Sequence, residues 1–259
     1  MQNNTFLGDS LGLNLIVLDE VDSTNDYLKS QVSNFKPLPE WTAIMAKHQT
    51  RGRGQRDNVW HTPADQNITV SLLIYPKYLP PQQQFYLNIF VSLGIIDWLK
   101  SIHIEAQIKW PNDIMLANKK IAGILIENKV NSKGIVQSII GIGINANQVD
   151  FPNELINKAS SLFKETGIPI ANLEESCHDV LLCIQKRIIA FKKLELSAEN
   201  LLQEYNNLLF LRDISAPYSS NNIEFLAKII RVESDGRLLL NEDGQEKAYY
   251  FKEVSFLLQ

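Results

Sequence analysis

The sequence predicts an α+β fold: a mixed or antiparallel sheet with helices on one side, followed by a small all-β unit at the C-terminus. Three observations predict it. The strand-like runs do not alternate steadily with helices, as a βαβ series would. They fall instead into hairpins, marked by turn residues at Asn118-Lys119 and at Asn131-Ser132-Lys133-Gly134. From about Leu211 helical periodicity gives way to short strands punctuated by Ser234-Asp235-Gly236 and Glu242-Asp243-Gly244. At 259 residues with 45% apolar composition, the chain is long enough to bury a large core without staples, and disordered or fibrous classes are excluded.

The elements follow in order. Residues 14–18 (NLIVL) read as a buried strand, and Ser23 or Thr24 caps a short helix running to about residue 32. Residues 42–47 form a second strand, a long polar loop spans 48–67, and 68–75 (ITVSLLIY) form a third strand. Pro80 and Pro81 open a helix that continues to about Ser101. Strand-like runs follow at 106–110, 114–116, 120–128 and 134–142. Leu173, Cys177, Val180, Leu181, Ile184 and Ile188 fall at helical spacing, so a core-facing helix covers 172–193, and a shorter one covers 198–207. Short strands at 225–232, 237–240, 247–250 and 254–258 complete the chain. The division expected is a domain of residues 1–208 and a second of 209–259, the latter too small for a large core of its own.

Cys177 and Cys183 project from different faces of one helix, so a bridge between them is not expected. The N-terminus is polar and lacks the basic and apolar regions of a signal peptide, and no run approaches the roughly 18 apolar residues of a membrane span. These features predict a cytoplasmic protein with no membrane partner. The 25 Lys and Arg against 29 Asp and Glu leave a net charge of −4, which argues against nucleic acid and favours a small-molecule or protein substrate.

Against that acidic background, Gln49-Thr50-Arg51-Gly52-Arg53-Gly54-Gln55-Arg56 stands out between two strands. Glycines let backbone N–H groups close around an anion, and arginine supplies paired donors for carboxylate or phosphate. A solvated surface loop is the other reading of the same residues. The run is neither a Walker P-loop nor a dinucleotide fingerprint, because the following Lys-Ser/Thr and the glycine spacing are missing. In Lys109-Trp110-Pro111-Asn112-Asp113, Pro111 fixes a turn at a strand end and Lys109 lies between Ile108 and Trp110. A lysine so desolvated needs an anionic partner or a lowered pKa, either at a site or in a strand-end salt bridge. Gly123 lies within the strand Ile121-Ala122-Gly123-Ile124-Leu125, and Gly141 and Gly143 within Ile140-Gly141-Ile142-Gly143-Ile144-Asn145-Ala146-Asn147. Glycines inside two strands suggest a flat ligand against a sheet, or simply close packing.

Taken together and in this order, Ser23-Thr24-Asn25, Gly52-Arg53-Gly54-Gln55-Arg56, Lys109-Trp110-Pro111-Asn112-Asp113 and Gly141 to Asn147 closely resemble biotin–protein ligases over about residues 14–259. The Lys-Trp-Pro-Asn-Asp run is the most specific piece and separates the chain from lipoate–protein ligases. The resemblance implies a class II aminoacyl-tRNA synthetase/biotin ligase-like catalytic domain and an SH3-like C-terminal barrel. It also implies a biotin–[acetyl-CoA-carboxylase] ligase, which uses ATP to make biotinoyl-5′-AMP and then biotinylates a lysine of a biotin carboxyl carrier domain.

By the same resemblance Lys109, Arg53 and Arg56 are catalytic. Ser23, Thr24, Asn25, Gln49, Arg53, Gly54, Gln55, Lys109, Gly123 and Leu125 hold biotin. Arg53, Arg56, Trp60, Lys109, Asn112, Asn145 and Asn147 hold the nucleotide. Biotin and ATP are the substrates and Mg²⁺ accompanies ATP, with Asp113 a plausible contact. The histidines (His48, His61, His103, His178) and the cysteines show no transition-metal spacing, so no resident metal is expected. Asp57 departs from the family's Gly-Arg-Gly-x-Arg-Gly loop, a change that bears on loop dynamics and adenylate retention. Only 22 residues precede Ser23, too few for the helix-turn-helix domain of family members that double as repressors. A sheet edge is open to a second copy, giving a homodimer, or to a hairpin of the acceptor. A lipoate or other acyl-carrier ligase and a non-catalytic biotin-adenylate-binding regulator are the alternative functions.

Overall fold

In the computed structural model, residues 7–8, 12–34, 37–55, 58–132 and 134–257 are described. An eight-stranded sheet is built from β1 (Leu7–Gly8), β2 (Asn14–Val21), β3 (Thr42–Gln49), β4 (Ile68–Ile74), β5 (Gln107–Lys109), β6 (Asp113–Leu116), β7 (Lys119–Asn131) and β8 (Gly134–Ile144). Its order is β1-β2-β3-β4-β8-β7-β6-β5. Only β2 and β3 pair in parallel among the described strands, with α1 (Thr24–Asn34) as their crossover, so the sheet is mixed.

Period-two alternation divides the strands between two faces. Ala43, Met45, Val70, Leu72, Ile74, Ile140 and Ile142 join the main core beneath α2 (Tyr86–Ser101) and α4 (Leu173–Lys192). Helix α2 is apolar almost all round and fully buried along most of its length, as a helix roofed by others must be. Ile44, Leu73 and Ile139 point the other way, onto Leu28 of α1. The helical layer therefore lies on one face as expected, and α1 covers part of the opposite face.

One hairpin turn is shifted and the other is shorter than the sequence reading. Ala117 and Asn118 carry φ of 47° and 64°, so the β6–β7 turn sits one residue earlier than Asn118-Lys119. Asn131 pairs directly with Gly134, leaving a two-residue link. The helix expected from Pro80 is interrupted: residues Pro81–Gln83 form a 3₁₀ turn, and α2 starts at Tyr86. Gln83 and Gln84 donate to the Pro80 and Pro81 carbonyls, an i to i+3 pattern favoured where two prolines supply no N–H.

Strand β1 and two further elements escaped the sequence reading. Helix α3 (Leu162–Thr166) is a five-residue turn capped by the Ser161 side chain and by Gly167 at φ 73°. After α5 (Ala198–Asn207), strand β9 (Ser215–Ser220) joins β10 (Ile223–Val232), β11 (Leu238–Glu242), β12 (Gln245–Tyr249) and β13 (Ser255–Phe256) in a second antiparallel sheet, ordered β12-β11-β10-β9-β13.

The two sheets are fastened by specific bonds. Asn206, buried at the end of α5, donates from Nδ2 to the Val232 carbonyl at 3.0 Å and accepts from the Val232 N–H at 2.6 Å. Trp110 Nε1 donates to the Gly236 carbonyl at 2.9 Å. Residues 208–210 run along β5 through Ile108 N–H to Leu208 O and Phe210 N–H to Ile108 O, covering that sheet edge.

Candidate active site

The site lies on the α1 face of the sheet, where β4, β7 and β8 meet. Counting by twos along β4, Thr69 and Ser71 share the face of Leu73, and their register partners on β8 are Gly143 and Gly141. Those glycines in turn face Gly123 and Leu125 on β7. A floor of two hydroxyls and three glycines results.

Ser23, Thr24 and Asn25 reach this floor because β2 ends there and α1 begins. All three are less than 5% exposed. The Gln49 amide oxygen at the end of β3 accepts from the Thr24 N–H at 2.8 Å. Ser71 Oγ donates to Asn25 Oδ1 at 2.5 Å and lies 2.8 Å from Thr24 Oγ1. Asn25 Nδ2 donates to Glu127 Oε2 at 3.1 Å. A Cβ at Gly141 would fall 3.0 Å from Asn25 Cγ, so only glycine leaves room for this amide.

Residues 52–54 of the glycine-arginine run pair with residues 58–60 over the floor. Gly54 N–H donates to Asn58 O, Trp60 N–H donates to Gly52 O, and Arg53 bridges with Val59. Arg56 and Asp57 lie outside the described residues. Arg53 donates to Asp26 Oδ1 at 2.5 Å, and Glu127 Oε1 lies 3.8 Å from its second guanidinium nitrogen.

Trp60 lays its indole against the glycine pair Gly123 and Gly143, and its buried Nε1 has no hydrogen-bond partner among the described residues. A buried donor left so is a natural point of contact for a ligand or water. Trp60 and Lys120 form the wall between two cavities. The first, of about 50 Å³, is lined by the hydroxyl, amide and glycine groups above together with Gln55, Asn112 and Leu125. The second, of about 440 Å³, is lined by His61, Asn145, Phe151 and Leu155 among others.

The Lys-Trp-Pro-Asn-Asp run closes the β5–β6 hairpin, with Lys109 paired to Asp113. Its Trp110–Pro111 bond is cis. Asn112 is stapled to β7, donating to Ile124 O at 2.7 Å and accepting from Ile124 N–H at 2.9 Å. Lys109 does not line either cavity. Its ammonium lies 5.1 Å from the Phe256 ring centroid of β13. Burial holds the Lys109 pKa below its ordinary 10.5, opposed by the nearby Asp113 carboxylate and reinforced by Lys120 and Lys158.

Of the residues expected at the site, the structure thus gathers Ser23, Thr24, Asn25, Gln49, Arg53, Gly54, Gln55, Trp60, Asn112, Gly123 and Leu125 around the first cavity. Asn145 lines the second while donating to Ser160 O. Asn147 is spent elsewhere: both ends of its amide bind the backbone of Ile170. Sequence reasoning missed Lys120, Glu127, Asp26, Thr69 and Ser71. A signal existed for three of them. Thr69 and Ser71 are the polar i, i+2 pair in an otherwise apolar strand, and Glu127 follows Gly123 and Leu125 at the same period. Among the described residues no group of three or more His, Cys, Asp or Glu side chains forms a metal centre, and no helix is long and apolar enough to cross a membrane.

The mixed sheet, the helical roof and the paired cavities define the class first: the pattern of the Biotin/lipoate A/B protein ligase family matches residues 17–145. The bifunctional ligase/repressor BirA of Bacillus spizizenii is 33% identical over 243 residues, covering 92% of this chain and 73% of that protein. The biotin–[acetyl-CoA-carboxylase] ligase of Paracoccus denitrificans is 35% identical over 135 residues, 50% of this chain and 53% of that protein. Among solved structures, biotin protein ligase from Aquifex aeolicus in complex with biotin and ATP superposes with a TM-score of 0.78 at 27% identity, covering 93% of this chain and 97% of that one. The chain belongs to the biotin–protein ligase family.

Proposed function

We propose that this protein activates biotin with ATP to biotinoyl-5′-AMP and pyrophosphate, then transfers biotin to a lysine of a biotin carboxyl carrier domain, as part of a cytoplasmic carboxylase system. The observation that carries the reading is the pair of adjoining cavities, one lined by hydroxyl, amide and glycine groups with Arg53 at its side, one larger, divided by Trp60 and a lysine. Hydroxyl and amide groups suit an uncharged ureido ring, which needs hydrogen bonds rather than charge. The larger cavity suits a nucleotide, with Asn145 on its wall.

In the first half-reaction a biotin carboxylate oxygen attacks the α-phosphorus, and the bond to pyrophosphate breaks. Two anions must approach, so cations at their meeting point lower the barrier. In this reading Lys109, Arg53 and Arg56 supply that charge, and Mg²⁺ arrives bound to the phosphates of ATP. In this reading Gln55 and Trp60, which line the first cavity, close over the adenylate. Closure keeps water from the mixed anhydride until the acceptor amine attacks its carbonyl and AMP leaves. Residues 1–208 form the catalytic domain in this reading and 209–259 an SH3-like one.

Incubation with biotin, MgATP and a carrier domain tests the proposal by mass spectrometry. A biotin adduct on one carrier lysine is expected. An adduct formed from lipoate but not from biotin refutes it. Lys109→Ala is expected to abolish pyrophosphate release with the fold retained, and wild-type release would overturn the role given to Lys109.

A further inference from the structure

Ser71 of β4 and Glu127 of β7 are not among the described residues that line the first cavity, yet both bond to residues that do. Their bonds form one chain. Asn25 Nδ2 lies 3.1 Å from Glu127 Oε2, and Ser71 Oγ lies 2.5 Å from Asn25 Oδ1 and 2.8 Å from Thr24 Oγ1. A carboxylate only accepts, so the Asn25 amide turns its NH₂ to Glu127 and its oxygen to Ser71. Ser71 has one hydroxyl hydrogen, and the amide oxygen, which also only accepts, takes it. Two hydroxyl oxygens 2.8 Å apart need a hydrogen between them, and Thr24 is left to supply it. Gln49 Oε1, the other acceptor near Thr24 Oγ1, is farther at 3.2 Å and already takes the Thr24 N–H. The chain therefore runs one way, from Thr24 to Ser71 to Asn25 to Glu127, and the Thr24 oxygen is left as an acceptor at the cavity wall.

We propose that Glu127 is a positioning residue for biotin: by ending this chain as an obligate acceptor, it sets Thr24 Oγ1 to receive a ureido N–H. The inference rests on the reading of the first cavity as the biotin site. Neighbouring cations enforce the direction. The other carboxylate oxygen of Glu127 lies 3.3 Å from Lys29 Nζ and 3.8 Å from an Arg53 guanidinium nitrogen. An uncharged amide at position 127 would turn its oxygen to these cations and its NH₂ to Asn25. Asn25 would then turn over, and Ser71 would donate to Thr24, filling the acceptor that the ureido N–H needs. A ligand N–H left without its partner in a buried pocket weakens binding.

The test uses the full chain, with biotin binding read by calorimetry without ATP and pyrophosphate release read against biotin concentration. Glu127→Gln keeps the shape and removes the charge. It is expected to bind biotin about 10-fold more weakly, the loss of one buried hydrogen bond. The biotin KM should rise by the same factor while kcat changes less than about 3-fold, since only ground-state binding is lost. Asn25→Asp combined with Glu127→Gln moves the carboxylate one place along the chain and restores its direction: the new carboxylate accepts from Ser71 on one oxygen and from the amide at 127 on the other. This double variant is expected to recover most of the affinity. Ser71→Ala cuts the chain, so adding Glu127→Gln to it should weaken binding no further. Biotin bound by Glu127→Gln within about 2-fold of wild type overturns the inference, being less than one hydrogen bond is worth. Further weakening in the Ser71→Ala background overturns it too, as does a folded double variant no tighter than Glu127→Gln; if the double variant does not fold, the Ser71→Ala comparison decides. A fall in kcat as large as the rise in KM also overturns it, since Glu127 would then act through Arg53. If the wild type binds no biotin, the reading of the first cavity falls; if it binds and Glu127→Gln matches it, only the role of Glu127 does.

Discussion

Gly143→Ala separates what the glycines do for the fold from what they do for the site. Gly143 is the β8 residue between Thr69 on β4 and Gly123 on β7, and Trp60 lies across it. A Cβ there would stand 2.6 Å from Trp60 Cζ2 and 2.7 Å from Nε1. Carbon atoms pack at about 3.5–4.0 Å, so the indole must retreat by roughly 1 Å. Two opposed effects act on stability. Alanine is favoured over glycine in a strand interior by about 0.5–1 kcal/mol, and overpacking costs about 1–3 kcal/mol. The net loss is therefore about 2.5 kcal/mol at most, which a domain stable by ~5–15 kcal/mol survives.

The site has less margin. Trp60 is the partition between the cavities, and a 1 Å misplacement of a positioning group is worth about 100-fold in rate. Gly143→Ala should therefore unfold within a few degrees of wild type by calorimetry. It should also show altered tryptophan fluorescence and form biotinoyl-AMP about 100-fold more slowly. Unchanged adenylation with an unchanged fluorescence spectrum would refute the reasoning, because the added methyl group would then have found space without moving the indole.

Two other perturbations test the scaffold. Asn206→Ala removes both partners of the buried Val232 amide and should cost about 2–4 kcal/mol, read as a lowered urea midpoint, with a change under 1 kcal/mol counting against the clasp. Arg187 holds Asp97 and Glu204 in paired bonds of 2.5–2.7 Å and ties α2, α4 and α5 together. The Arg187 bond keeps the Glu204 carboxyl below its ordinary 4.5. A depressed carboxyl pKa stabilises the fold above the ordinary value, and that stability is lost as pH falls through the depressed one. Arg187→Met should cost about 2 kcal/mol at pH 7, discounted for the partial exposure of both carboxylates, and flatten the loss of stability below pH 4.5. An acid limb unchanged in slope would remove Glu204 from that account.

Much of this was legible in the sequence, and what was not has definite causes. Long elements with clear periodicity, such as α4 and β4, lie within a residue or two of their expected bounds. Helix α3 is too short to show a period, and β9 (SAPYSS) hides behind Pro217 and three serines in place of the usual β-branched run. The site was legible where it coincides with runs of chain: Ser23 to Asn25, the 49–55 segment, and the Gly123 strand. Ser71 owes its place to register between β4 and β8, strands far apart in the chain, which its own alternation does not reveal, and nothing in the sequence around Lys120 marks it as a site residue. Asn147 shows the converse: it sits inside a recognisable motif, yet its amide is committed to pinning Ile170.

The Lys-Trp-Pro-Asn-Asp hairpin explains why so short a run is so distinctive. Its residues divide between two tasks. Lys109 and Trp110 face the second sheet, the ammonium against Phe256 and the indole N–H on the Gly236 carbonyl. Asn112 lines the first cavity, and Asp113 pairs with Lys120 at the wall of the second. Each residue type answers a local demand: a donor long enough to reach across to the second sheet, a proline to turn the chain, an amide to staple β7, and a carboxylate to hold a cation. The partners are spread over three places: β13 for Lys109, the β10–β11 turn for Trp110, and β7 for both Asn112 and Asp113. The hairpin therefore joins the small sheet to both cavities through five consecutive residues. Any rigid displacement of the second sheet acts first on Lys109 and Trp110, and through the closed turn on Asn112 and Asp113. The C-terminal sheet is thereby bonded to the same hairpin that lines the first cavity through Asn112.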